Sequence, residues 1–572
     1  MFCSNSVKAS WAHFIAGCLF MAAVAPAQTV KYKVSPYAPA PALTYHGLIA
    51  GKSTLQEVTA ALGEPSYAGF WYNYKIYYPA AGRPEGMVDV VHFQGDKPES
   101  IIGDIEAASI PEGYATEAEI REKLGAPEYE LRMVTWKLLD YSEKGLRFSL
   151  DAAAKTSGVA YFAHGNRRVP PGERALVDLT HLKTGPQQAP TQSVDLLGLR
   201  AGAAERVLSP TGPDWLPYPY KVVTNLKARI AVFATDTLKV ALIGADLFGM
   251  NWDDIKVIRD AAKEAGVDHT IFAMAHNHAA GDTIGVYGHY PAEYIKHIQT
   301  QTIDGIKEAL NKLQPVKELR VASREMPMDG ARVMGLIRNA RNPGVLDPTI
   351  SLVQAIGADG QPVASVINFA CHTESLEKDG ELGADFPGYL CDQVAADGGG
   401  QPVFLNGALG GMVSGDNKAR TQESSKEMGL QLAAIVKELA ATAQPVESFS
   451  LEAETRNVEI PLTNPRFKAM TENPKRPVHK GRMVTDMTYV ELGTAQIVSL
   501  PGELLPEVSF EILGRMQGFP RMLVGLANDE IGYIIPPYDF RDDYYEETMS
   551  PGPATAPQIR DMAWRMINEH QN

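Results

Sequence analysis

Val267-Asp268-His269-Thr270-Ile271-Phe272-Ala273-Met274-Ala275-His276-Asn277-His278 is the stretch that decides the fold: a short apolar run with two imidazoles at its end. Side chains in a strand alternate faces, so His276 and His278 are expected to point the same way if the extended conformation continues through them. Gly266 closes a helical pattern over 252–265, which gives the helix-to-strand passage of an α/β domain. In open sheets of this kind chemistry collects beyond the carboxyl ends of strands. A single histidine at a strand end is more often a hydrogen-bonded loop residue than a ligand, so partners elsewhere must decide the matter.

Working outward, residues 238–246 read as a buried strand before the helix, and 292–313 as a further helix with apolar residues at helical spacing. Alternation of this kind favours an α/β core. Two more apolar runs end in ligand-type side chains. Residues 362–372 follow 351–356 across an Asp359-Gly360 turn, as the second arm of a hairpin that ends in His372. Residues 495–503 end in Pro501-Gly502-Glu503, and 521–528 lead into Asp529-Glu530-Ile531-Gly532-Tyr533. Strand ends that deliver His, His, Glu and a polar aromatic loop suit a divalent cation, and zinc fits a His/His/Glu set best.

With 572 residues the chain exceeds what one core organises, so two or more domains are expected. A net charge of -15 excludes nucleic acid as the main partner, since phosphate binding needs clustered Lys and Arg. Lys8, the apolar run 14–24 and Ala25-Pro26-Ala27 read as an export signal occupying residues 1–27. Ile15-Ala16-Gly17-Cys18 offers a lipoprotein anchor at Cys18, ranked second because the apolar core would then follow the cut. No later run is long and apolar enough to cross a membrane. Cys3 and Cys18 leave with the signal; Cys371 and Cys391 either pair or stay as buried thiols, and no thiolate metal site is available.

Residues 32–165 hold an internal duplication. Lys52-Ser53-Thr54-Leu55-Gln56-Glu57 leads to Leu62-Gly63-Glu64-Pro65, and Ala115-Thr116-Glu117-Ala118-Glu119-Ile120 leads to Leu124-Gly125-Ala126-Pro127. Each copy has a capping-box start, a Gly stop and aromatic-rich strands after it. This α+β pattern resembles, in tandem, the small outer-membrane-assembly lipoprotein module of BamE/SmpA type, which implies binding or scaffolding. Gly51-Lys52-Ser53 is no phosphate loop, because Gly47 sits one residue too close and no apolar strand runs into it. Val169-Pro170-Pro171-Gly172 and Thr184-Gly185-Pro186 mark a stiff linker over 166–193, which leaves 194–572 as the larger domain.

From Leu199 onward the chain resembles the neutral/alkaline, non-lysosomal ceramidase family. The resemblance is carried by Asp246, Ala275-His276-Asn277-His278, Asn368-Phe369-Ala370-Cys371-His372, Pro501-Gly502-Glu503, and Gly532-Tyr533 followed by Tyr545-Glu546. It implies a mixed α/β zinc amidase that splits the N-acyl bond of ceramide, with His276, His372, Glu503 and Tyr533 holding the zinc. His278 would be the proton shuttle and Tyr545 the donor to the developing oxyanion. Arg338 and Arg341 would contact polar groups of the substrate. The chain departs from the family at Gly410-Gly411-Met412-Val413-Ser414-Gly415-Asp416, where Ser414 reaches the family's serine only with a one-residue shift, and at Asn277-His278-Ala279-Ala280-Gly281. The family's C-terminal immunoglobulin-like module is expected to be missing.

Three readings follow: an exported zinc amidohydrolase acting on an N-acyl lipid, a hydrolase of a different and more polar amide or ester, and a noncatalytic envelope binding protein. The implied partners are an N-acyl lipid or small amide and a membrane surface. Retention of all the candidate ligands weighs against the third reading.

Overall fold

The structure, a computed structural model, describes residues 43–571 apart from 72, 85–86, 94, 163–173, 186, 189, 191–192, 213, 287–289, 330, 334, 378–379, 418, 468–477, 480 and 542–543. The expected export segment, 1–27, lies outside the described residues, as does the 166–173 part of the expected linker.

Two short helices, Leu55–Leu62 and Glu117–Leu124, begin on the same local chemistry. Thr54 accepts from the N–H of Glu57 while the Glu57 carboxylate accepts from the N–H of Thr54, and Thr116 and Glu119 repeat the arrangement. Orphan donors of the first turn are thereby satisfied twice over. Gly63 and Gly125 stop the helices at φ of 79° and 80°, where any Cβ would be strained. Four antiparallel strands follow each helix: Tyr67–Trp71, Asn73–Pro79, Val88–Phe93 and Ile102–Ala107, then Tyr129–Arg132, Trp136–Tyr141, Leu146–Asp151 and Thr156–Phe162. The last strand of each set pairs with the other, joining two meanders into one sheet. Ala175–Asp178, within the stretch expected to be a linker, adds a ninth strand parallel to Tyr129–Arg132 and closes that open edge.

The larger part is a mixed α/β fold of several sheets. Lys239–Ala245 and His269–Met274 run parallel, with the helix Trp252–Glu264 as their crossover. Lys227–Ala234 and Arg200–Val207 continue this half antiparallel. A short pairing of Arg200 and Ala201 with Pro315 and Gln314 links it to the second half, Gln314–Glu325, Thr349–Gly357, Pro362–Phe369 and Gln401–Asn406. A further sheet holds Leu451–Pro461, Arg482–Leu492, Ala495–Ser499 and Arg521–Val524. Alternation sends Leu242, Ile271, Val366, Leu405, Ile497 and Val524 into one shared core. The opposite faces are covered by helices, Trp252–Glu264 and Ala292–Asn311 over Ile243 and Phe272, Asp385–Ala396 and Gln422–Thr442 over Ile367 and Phe404. Close packing is written into the sequence at Gly244, where a Cβ would lie 2.2 Å from the Phe404 carbonyl oxygen.

This packing brings together the chain just past the ends of several strands. The Thr373 hydroxyl donates to the Ala275 carbonyl at 2.6 Å, and the Asn406 amide donates to the carbonyls of Ala275 and Cys371 at 2.8 and 2.7 Å. Backbone N–H groups of Met274 and Leu526 donate to Leu526 and Gly502 at 3.0 and 3.1 Å. Cys371 and Cys391 are buried free thiols, which decides between the two states the sequence leaves open. No helix among the described residues is long and apolar enough to cross a membrane.

Candidate metal centre

His276, His278 and His372 offer ring nitrogens that all lie within 4.8 Å of one another. Strand alternation is not what brings the first two together. The strand ends at Met274, and His276 takes a left-handed backbone with φ of 60°, a strained state for a residue with a side chain and one that clusters at functional sites. Asn277 locks the turn: its N–H donates to Leu247, its amide to Gly383 at 2.7 Å, and its side-chain oxygen accepts from the N–H of Ala279. The His276 and His278 ring centroids end 4.9 Å apart, edge to face.

Two of the rings are aimed by backbone carbonyls. Nδ1 of His276 stands 3.0 Å from the Phe248 oxygen, and the Phe248 ring stacks on the imidazole at 5.0 Å. Nδ1 of His372 stands 3.3 Å from the Val413 oxygen, which also accepts the His372 backbone N–H at 2.7 Å. A ring nitrogen beside a carbonyl oxygen donates to it, and in the neutral imidazole that arrangement leaves Nε2 with its lone pair. Both Nε2 atoms face the same carboxylate oxygen, Oε2 of Glu503, at 3.4 and 3.0 Å. Glu503 is held there by strand pairing, since Glu503–Leu504 runs parallel to Tyr533–Ile534 with Glu503 opposite Tyr533.

Nε2 of His372 and Oε2 of Glu503 are buried 3.0 Å apart, and neither atom has a hydrogen-bond partner of good geometry. Buried polar atoms left so are costly unless something binds them. An imidazole lone pair and a carboxylate oxygen meeting in a closed site form the donor set of a metal, and the residues fit an ion. Burial alone would raise the Glu503 carboxyl, yet His276 and His372 hold it well below the usual carboxylate range. Burial lowers His372 while Glu503 raises it, with a net upward shift. Tyr533 is buried, its phenol pushed far up by burial and by Glu503, and its hydroxyl lies 3.6 Å from the Met412 sulfur. Tyr545, whose ring centroid is 6.1 Å from that of Tyr533, is exposed.

His278 is pushed down to about 3 by burial first and then by His276, so it is neutral at ordinary pH. Its Nδ1 lies 4.0 Å from Oε2 of Glu374. Against burial, Arg420 and His278 hold Glu374 down at about 2, and Arg420 approaches it at 3.4 Å. Ser414 is buried on the strand Val413–Gly415, bridged to His372, and its hydroxyl is one of the groups that hold the Glu374 carboxyl down. Arg338 and Arg341, expected to face a substrate, have buried guanidiniums committed elsewhere. Arg338 donates to Glu106 at 2.8 Å, and Arg341 pairs with Asp539, Glu546 and Glu547.

Sequence reasoning passed over Glu374, Phe248, Met412 and Arg420. For Glu374 a signal existed: it is a carboxylate two residues past His372, the first charged residue after the uncharged run 360–373. Two other groups of ligand-type residues, His92 with Asp104 and Glu106, and His278 with Glu374 and Glu377, are each entered by an arginine, Arg338 in the first and Arg420 in the second. A guanidinium among the carboxylates does there what a cation would do.

No family model matches the chain, and no curated protein does. Among solved structures the fold is similar to the neutral ceramidase from Pseudomonas aeruginosa, with a TM-score of 0.53 at 16% identity over 66% of this chain and 75% of that one. A ceramidase complexed with C2 is similar at the same TM-score and 16% identity, over 65% of this chain and 76% of the other. The chain therefore has a ceramidase-like fold, and it presents a histidine and carboxylate cluster able to bind a metal ion.

Proposed function

We propose that the protein is a zinc-dependent amidohydrolase that cleaves the N-acyl amide bond of ceramide or a related N-acyl lipid. One observation carries the reading: Nε2 of His276 and of His372 both face Oε2 of Glu503 in a buried site beside a third, neutral histidine. His276, His372, Glu503 and Tyr533 would hold the ion. Zinc, when bound, supplies a polarised carbonyl and a more acidic water.

The chain's own residues do the rest. His278 accepts the proton of the attacking water and returns it to the leaving amine, a task for a neutral imidazole with its ring fixed against its neighbours. Glu374 orients that ring. Tyr545 donates to the oxyanion, with the Ser414 hydroxyl as a second polar group near His372. Export through residues 1–27, with action at a membrane surface, accords with a lipid substrate. A more polar amide or ester is the second reading, favoured by the charged pair Glu374 and Arg420 beside His278.

Release of fatty acid and long-chain base from ceramides of short and long acyl chain tests the reading, with His372→Ala as control. Cleavage that depends on zinc and is lost in His372→Ala supports it. A wild-type chain that spares ceramide while hydrolysing another acyl amide moves the assignment to the second reading.

A further inference from the structure

The N-terminal sheet has two chemically different faces. Toward the helices Leu55–Leu62 and Glu117–Leu124 it is apolar, with Ile76, Val91, Ile105 and Phe148 packed on Val58 and Ile120. The alternate positions of the same strands carry Lys75, His92, Asp104, Glu106 and Arg147. A sheet standing in water could leave such side chains solvated. Here Lys75, His92, Glu106 and Arg147 are almost fully buried, which is costly for charges unless each finds a partner.

Within the sheet Arg147 pairs with Asp140 at 2.7 Å and His92 lies 3.1 Å from Glu106, and the larger part of the chain adds further partners. Nη2 of Arg338 donates to Glu106 at 2.8 Å and lies 3.2 Å from the His92 ring, and Nε of Arg338 reaches the same Glu106 oxygen at 3.2 Å. Arg147 donates to the Pro343 carbonyl at 2.7 Å, and Arg332 to the Val88 carbonyl at 2.8 Å. These contacts fasten the small sheet formed by Met328–Asp329, Arg332–Val333, Ile337–Asn339 and Val413–Gly415.

From Arg338 to the histidine cluster is a short path. Arg338 stands opposite Ser414 in the strand pair, and Asn339 opposite Val413. The Val413 carbonyl accepts the backbone N–H of His372 and faces its Nδ1, which fixes the ring with Nε2 toward Glu503. We infer that the N-terminal sheet is a working part of the metal centre: Glu106 is a positioning residue that, through Arg338, fixes the Val413 carbonyl and with it the His372 ring. Glu106 touches neither substrate nor ion. The inference rests on His372 being a metal ligand, and it gives the N-terminal part a role inside the molecule in place of binding to an outside partner.

The test uses the full-length mature chain. Glu106→Gln removes the charge at constant shape, Glu106→Asp keeps it, and Asp89→Asn is the control, a buried carboxylate on the helix-facing side bonded to Tyr45 and Ser109. Amide exchange over 412–416, zinc affinity by chelator competition and the visible spectrum of the cobalt-loaded protein are measured beside kcat and KM. Glu106→Gln is expected to speed exchange over 412–416, alter the cobalt spectrum, weaken zinc and lower kcat by about tenfold each, and leave KM nearly unchanged. Glu106→Asp recovers part of each loss, and Asp89→Asn matches wild type in all of them. A folded Glu106→Gln with wild-type exchange over 412–416 and wild-type zinc affinity overturns the inference. Should Glu106→Gln fail to fold, Arg338→Lys, which keeps the charge but loses the fork, is judged by the same readouts. A wild type that binds zinc but cleaves no amide defeats the proposed function alone; the exchange, spectrum and affinity still decide the role of Glu106.

Discussion

The His276 backbone is held at φ 60° by hydrogen bonds made through Asn277, and that local strain turns two histidines of one loop toward a third from another strand. Removing a ligand and removing the shuttle should therefore look different. His372→Ala is expected to lose both zinc and activity, whereas His278→Ala should keep zinc and lower kcat by about 10²- to 10⁴-fold, as metal analysis and steady-state kinetics on both variants would establish. His92 gives a prediction in stability. Burial first, and then Arg338, push it down to about 3, against an unfolded value near 6.5. Below the unfolded value the open chain binds a proton that the folded chain refuses, so stability is present above pH ~6.5 and drains away as pH falls toward ~3. The full window is of order 5 kcal/mol for this one ring. Denaturant melts of wild type and His92→Gln from pH 7 to pH 4.5 are expected to show a steeper loss in the wild type; parallel curves would contradict this account of His92.

Two elements show what sequence patterns reach and where they stop. The capping boxes at Thr54 and Thr116 are local chemistry, so sequence and structure agree on them; Thr116→Ala should cost about 1 kcal/mol in chemical denaturation. Gly244→Ala is a sharper case, because its Cβ would meet the backbone oxygen of Phe404 and cannot be relieved by a rotamer change. A loss of about 3 kcal/mol or more is expected from the same measurement. Apolar runs that end in His276, His372 and Glu503 were legible because a buried strand needs such a run and its end is where polar residues begin. The turn at His276 was not, since nothing in the alternation pattern announces a left-handed residue. The buried partners of Arg338 and Arg341, Glu106 on a strand and Glu547 on the helix Tyr545–Thr548, were not legible, because single residues carry no record of the distant elements that come to lie on them. Ala175–Asp178 read as linker for the same reason: it is a strand only because Tyr129–Arg132 leaves an edge for it.

At the scale of the molecule, the N-terminal sheet and the larger α/β part do not meet across a wet gap. Glu325, at the end of a long strand of the larger part, accepts from the backbone N–H groups of Val134 and Thr135 at 3.1 and 2.8 Å and from the Thr135 hydroxyl at 2.7 Å. Leu131, Trp136 and Leu138 of the N-terminal sheet share a core with Val508 and Ile559. A shared core and buried ion pairs couple the two parts, so thermal unfolding followed by calorimetry is expected to give one main transition for the full chain. What the fold achieves by this assembly is one site from three chain segments that together span more than two hundred residues, at His276, His372 and Glu503. The most direct test is the zinc content of the purified chain, measured by mass spectrometry of the metal together with a dissociation constant, in wild type and in a His276→Ala, His372→Ala double variant. The account predicts about one zinc per wild-type chain and near none in the double variant; a wild type without bound metal, or a double variant that keeps its zinc, would contradict it.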